Sequence, residues 1–177
     1  MSSRGSRSRT REMDTRVRSA ARHTDILIIG TEPPCPRCDL LRRLVSEMVA
    51  GESGVTVRHC AFDAPEAIDL GRRWGRKVGT AKHVAKDSGV AMDWGAVHEV
   101  IERKRLAAVP LLEPADAWSP ELDALLEPCR TVAESTGYFM TPVLVVNGRV
   151  VHHGNVPPRE RLRSEERRVG KECRSRW

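Results

Sequence analysis

Two cysteines separated by two residues, Cys35-Pro36-Arg37-Cys38, are the side chains of this sequence best spaced for chemistry. Thiols at that spacing can close a small, reducible disulfide, or supply two of the four ligands of a metal knuckle. Their surroundings favour the first. Asp25-Ile-Leu-Ile-Ile29, closed by Gly30, is a short β-branched run of the kind that forms a buried strand. Beyond the Pro-rich turn 32–38, Leu40, Leu41, Leu44, Val45 and Met48 recur at helical spacing up to Gly51. Val55–His59 reads as a second strand. The cysteines therefore open a helix inside a strand–helix–strand unit with parallel strands. Unpaired N–H groups and the positive end of the helix dipole favour a thiolate on Cys35 there. Arg37 adds to that field, and Cys38, one turn inside, is shielded and placed to resolve a mixed disulfide.

A metal site would need two more ligands, and His59 and Cys60 are the candidates. They end the second strand, and the C-terminal ends of parallel strands share one edge with the cysteine turn. Otherwise Cys60 is a third thiol for relay or, the reading preferred, a small buried hydrophobe. Cys129, next to Pro128, reads as structural.

Near the other end, Val143–Val146, Asn147-Gly148 and Arg149–His153 form a hairpin signal, because Asn-Gly supplies the positive φ angles of a type I′ turn. Pro157-Pro158 can open a helix at Arg159. Between lies a largely helical segment, about 66–135. Helices are expected over 66–77, from Thr80 to about Asp87, over 93–106, and from Ser119-Pro120 to about 135 with a break at Pro128. Val109 to Pro120 reads as a connector. Trp74, Trp94 and Trp118 are expected to build a small core of this segment. His83, His98, His152 and His153 are given no role.

These pieces resemble the thioredoxin-like superfamily, and within it the small redox-active disulfide proteins with a glutaredoxin-like cysteine turn. The resemblance rests on Ile26–Gly30 with Cys35-Pro-Arg-Cys38, and on Met140-Thr-Pro-Val-Leu-Val-Val-Asn-Gly148 leading to His153-Gly154. It implies an α/β fold, βαβ…ββα around a central mixed sheet, with the helical segment inserted before the strand that a cis-proline opens. It also implies a cis Thr141–Pro142 bond whose neighbouring backbone pairs with substrate, beside Pro36 and Arg37. The implied activity is thiol–disulfide exchange by Cys35 and Cys38 on a protein or small-thiol disulfide, reset by an external reductant. No cofactor, resident metal, nucleic acid or membrane is called for. The Trp-Cys-Gly start of typical thioredoxins is missing, and the insertion departs from the small members. Two other readings stand beside this one: a metal-binding or metal-sensing module using Cys35, Cys38, Cys60 and His59, and a non-catalytic adaptor presenting the insertion.

Charge and length fit such a domain. The chain has 177 residues and a formal net charge of +6. Residues 1–12 carry +3, residues 163–177 another +3, and the body between is neutral, so no basic groove for nucleic acid is expected. The hydrophobic content of 40% is spread without a run of transmembrane length. Residues 1–23 read as a disordered basic arm, 24–162 as the domain, and 163–177 as a tail without apolar periodicity. That tail resembles the translation of a short-read sequencing adapter and is expected to be artefactual. No apolar export-signal core is visible near the start, so a cytoplasmic location is expected.

Overall fold

The computed structural model describes residues 23–108 and 113–164. The expected basic arm, residue 23 apart, and the tail from 165 onward lie outside the described residues. Residues 163 and 164 still belong to a helical stretch over 159–164, so the expected tail boundary falls inside an element.

β1 (Thr24–Gly30), α1 (Pro36–Met48) and β2 (Val55–Ala61) form the expected unit. The strands are parallel and in unbroken register, from Thr24 opposite Val55 to Gly30 opposite Ala61. The inserted segment holds α2 (Pro65–Arg73), β3 (Lys77–Gly79), α3 (Ala81–Ser88), α4 (Trp94–Ala107), a 3-10 turn (Pro114–Ala117) and α5 (Pro120–Ala133). Then come β4 (Tyr138–Met140), β5 (Val143–Val146) and β6 (Arg149–His153). The main sheet has the order β2-β1-β5-β6, with β5 antiparallel to both β1 and β6. β3 and β4 pair in parallel as a separate ribbon.

β1 is central and covered on both faces, which explains its unbroken apolar run. Ile26 and Ile28 meet Leu41 and Val45 of α1, with Leu144 and Leu162. Leu27 and Ile29 meet Ala67 and Leu70 of α2, with Phe139, Val143 and Val145. Ile28 and Ile29 are fully buried, worth roughly 1.5–3 kcal/mol of transfer free energy each. The β5–β6 turn has positive φ at Asn147 and Gly148, as its sequence predicts. The Asn147 side chain also accepts a 2.9 Å hydrogen bond from the Asp25 amide, tying the hairpin to the start of β1.

The insertion departs from its sequence reading in three places. The helix expected over 66–77 ends at Arg73, because Gly75 takes the left-handed conformation and the chain then enters β3. The break expected at Pro128 does not occur, and α5 runs through to Ala133. Leu122, Leu126, Cys129 and Ala133 all sit in the insertion's core, and that packing outweighs the hydrogen bond lost to proline. Trp94 and Trp118 pack against this core as expected, whereas Trp74 stands exposed past the end of α2.

Candidate functional site: the cysteine turn and its clamp

Cys35 is the N-cap of α1, and Pro36 at the first helical position is pre-set for helix while lacking an N–H that would go unpaired. The Cys35 sulfur, where serine or aspartate oxygen usually sits, accepts from the Cys38 amide at 3.4 Å. The Cys35 amide donates to Thr31 Oγ1 at 2.8 Å. The two sulfurs are free thiols in contact, 2.7 Å apart.

The two thiols are not equivalent. The Cys38 thiol beside it pulls the Cys35 thiol down to about 6, against the cost of burial; the Cys38 amide, the Arg37 charge and Thr31 add to the effect. The same shared hydrogen bond, together with burial, pushes Cys38 well above the ordinary thiol value. Cys38 is also wholly shielded from solvent. Alkylation of the reduced protein by iodoacetamide, followed by mass spectrometry against pH, is expected to show Cys35 reacting with a midpoint of about 6 while Cys38 stays unmodified. A midpoint at the free-cysteine value would contradict this arrangement.

Arg37, expected beside a substrate, turns inward instead and is 5% exposed. Its Nε lies 2.7 Å from Asp123 Oδ1 of α5, an ion-pair contact too bent to count as a hydrogen bond. Its Nη2 donates to the Gly154 carbonyl. The Gly154 amide donates in turn to the Pro142 carbonyl at 3.0 Å. Only glycine fits there: φ is +94°, and a Cβ would come 2.8 Å from Arg130 Cγ. One residue between the cysteines thus ties the turn to α5 and, through Gly154, to Pro142.

The next residue repeats the device. Asp39 is 2% exposed, accepts from Arg42 at 2.7 Å, and accepts from the Ala115 amide at 3.0 Å. Arg43 pairs with Glu113 and Asp116. The 3-10 turn of the insertion is therefore docked on the cysteine helix.

The Thr141–Pro142 bond, at the entry to β5, is cis, as is Glu32–Pro33. The dithiol turn opens α1 after the central strand, and the cis-proline opens an antiparallel hairpin on that strand's other side. The fold is thioredoxin-like. The helical insertion sits between the thioredoxin-like halves. No protein-family model matches the chain, and no curated protein matches it. Two solved structures are similar to it. One is a thioredoxin-like oxidoreductase from Silicibacter pomeroyi DSS-3, at 17% identity over 85% of this chain and 88% of that one, with a TM-score of 0.34. The other is a candidate protein-disulfide isomerase from Pseudomonas syringae, at 19% identity over 80% and 92%, with a TM-score of 0.32. Likenesses this distant say nothing of what the chain acts on, and the fold class rests on strand order and connectivity.

The remaining expected residues separate. Pro36 is half-buried, and Thr141 and Pro142 are buried. Of the backbone around the Thr141–Pro142 bond, which the resemblance pairs with substrate, the Thr141 amide donates to the Gly79 carbonyl of β3 at 2.8 Å. His59 comes to the cysteine helix, but Cys60 does not. Cys60 packs with Leu27, Ile29 and Phe62 on the α2 side, whereas Val55 and Val57 face α1. The four-ligand set Cys35, Cys38, His59 and Cys60 is therefore split across the sheet. Among the described residues, no group of three or more His, Cys, Asp or Glu is arranged to hold a metal. Burial pushes Cys60 up to about 11 and raises Cys129 as well, and Cys129 is fully enclosed in the insertion's core. No helix among the described residues is long and apolar enough to cross a membrane.

Asp123 and Asp39 have no place in the sequence reading, and Gly154 enters it only as the end of the hairpin stretch that carries the resemblance. Gly154 carries a weak signal, a glycine directly after the hairpin. Asp123 carries none, because its partner lies 86 positions away.

Proposed function

We propose that the chain is a thiol–disulfide oxidoreductase in which Cys35 attacks and Cys38 resolves. The observation that supports this most strongly is the asymmetry of the pair: an acid-shifted sulfur at a helix N-terminus in contact with a buried, proton-holding one. The Cys35 thiolate attacks one sulfur of a substrate disulfide, and the first substrate thiolate leaves and takes a proton from water. Cys38, as thiolate, then attacks Cys35 Sγ, the bond from Cys35 to substrate breaks, and the second substrate thiol departs. The substrate gains two electrons and the protein ends as the Cys35–Cys38 disulfide. An external reductant, a dithiol reductase or a low-molecular-weight thiol, restores it. The substrate is a protein or small-thiol disulfide, and a cytoplasmic setting supplies the reducing pool.

The deciding measurement is the midpoint potential of the Cys35–Cys38 pair, read by differential alkylation across a series of dithiothreitol and glutathione buffers. A two-electron titration between about −120 and −270 mV is expected. Failure of the pair to form a disulfide at any potential would overturn the proposal.

A further inference from the structure

One nitrogen at this site has no partner. His59 Nε2 is buried and, among the described residues, neither accepts nor donates a hydrogen bond. Buried polar atoms are nearly always paired, so an orphan of this kind asks for a reason. Nε2 and Cys38 Sγ both border the bare face of Gly30. A Cβ on Gly30 would come 2.8 Å from Cys38 Sγ and 2.9 Å from His59 Nε2. The bare face of that glycine is what lets sulfur and imidazole pack together, separated by no more than the sum of those two distances. At that upper bound a proton passes through one bridging water, and a direct transfer requires the imidazole to turn towards the sulfur. On the far side of the ring, Nδ1 stands 3.5 Å from Glu32 Oε2. A carboxylate there favours the proton on Nδ1 and leaves Nε2 as the acceptor.

The chemistry needs such an acceptor. In the reduced protein the hydrogen bond to Cys35 and burial hold the Cys38 proton, and the burial persists once Cys35 carries substrate, yet only the Cys38 thiolate can attack. The charged groups facing His59 are Glu32 from the turn before α1 and Asp39 and Arg42 from α1 itself. Asp39 is committed to Arg42 and the Ala115 amide. His59 is held below the ordinary histidine value by burial, so its ring is neutral at pH 7.

We infer that His59 accepts the Cys38 thiol proton at Nε2 in the resolving step, with Glu32 as the positioning residue at Nδ1. The inference rests on the dithiol reading above. In the mixed disulfide the proton moves from Cys38 Sγ to Nε2, and the Cys38 thiolate attacks Cys35 Sγ. The Cys35–substrate bond breaks, and the leaving thiolate takes up a proton as the imidazolium loses one. No electron passes through His59.

The test separates the two steps. Reduced full-length protein is mixed with the aromatic disulfide 5,5′-dithiobis(2-nitrobenzoate), quenched in acid at intervals, and the Cys35 adduct is followed by mass spectrometry. A Cys38→Ser trace gives the unresolved reference. In His59→Gln, the adduct is expected to form at the wild-type rate and to decay at least about a hundredfold more slowly, the low end of what a positioned base contributes. Wild-type decay is expected to slow as pH falls through a midpoint below 6.5, and that midpoint is expected to vanish in His59→Gln. In Glu32→Gln the midpoint is expected to move lower, because the Glu32 charge holds it up. Decay of the His59→Gln adduct at the wild-type rate would overturn the inference while leaving the dithiol reading intact. If no Cys35 adduct or Cys35–Cys38 disulfide forms even in wild type, the dithiol reading itself fails. If His59→Gln does not fold, an unshifted midpoint in Glu32→Gln overturns the inference.

Discussion

Asp123→Ala is expected to lower the free energy of unfolding by about 3–5 kcal/mol, the cost of leaving a buried charge without its partner. Arg37 is 5% exposed and, among the described residues, is held by Asp123 and the Gly154 carbonyl. The other Asp123 oxygen accepts from Trp118 Nε1 at 3.0 Å and from the Val156 amide at 3.3 Å. Truncation therefore strands a guanidinium, an indole and a backbone donor together. Chemical denaturation measures the loss directly, and in a domain of this size the melting temperature should fall by roughly 10 °C. A buried ion pair need not be a net source of stability, since its desolvation offsets much of its attraction. The double replacement Arg37→Met with Asp123→Leu should accordingly lie closer to wild type than Asp123→Ala does. A loss below about 1 kcal/mol in Asp123→Ala would show that the pair is solvated in solution.

Cys38→Ser is expected to keep the first chemical step and to lose turnover by at least about a thousandfold, or about 4 kcal/mol of transition-state stabilisation. The two sulfurs are held 2.7 Å apart before any reaction. Well-oriented intramolecular reactions reach effective molarities of roughly 10⁵ M or more, far above any external thiol that would have to release the adduct in place of Cys38. Multiple-turnover reduction of a disulfide substrate with excess dithiol measures the loss, and intact-mass spectra should show substrate accumulating on Cys35. Turnover within tenfold of wild type would mean that an external thiol, not Cys38, performs the release. The variant also separates the two roles: Cys35→Ser should form no adduct at all.

The parts of this molecule that could be read from its sequence are those fixed by neighbours. β1 and the β5–β6 hairpin announce themselves through period, β-branching and Asn147-Gly148, and the cysteine turn through Pro36 and the helical spacing that follows. β3, only three residues long, is too short for any period to show. Pro128 was expected to break a helix on local grounds, yet the burial of Leu126, Cys129 and Ala133 decides the matter. The clamp on Arg37 joins residues distant in the chain, and nothing near Arg37 points to Asp123. His59 and Cys60 are a different case. Strand alternation puts adjacent residues on opposite faces, so the sequence itself argued against both reaching one metal.

Asp39 and Arg37 sit on the first turn of α1, yet each spends its side chain on the insertion. The docking has a consequence for local unfolding. The Ala115 amide is held by the Asp39 carboxylate, which stands on the helix that carries the cysteines. Opening of the cysteine helix is therefore expected to release the 113–123 segment with it in native-state hydrogen exchange. Protection of the Ala115 amide accordingly reports on the cysteine helix as well as on the insertion.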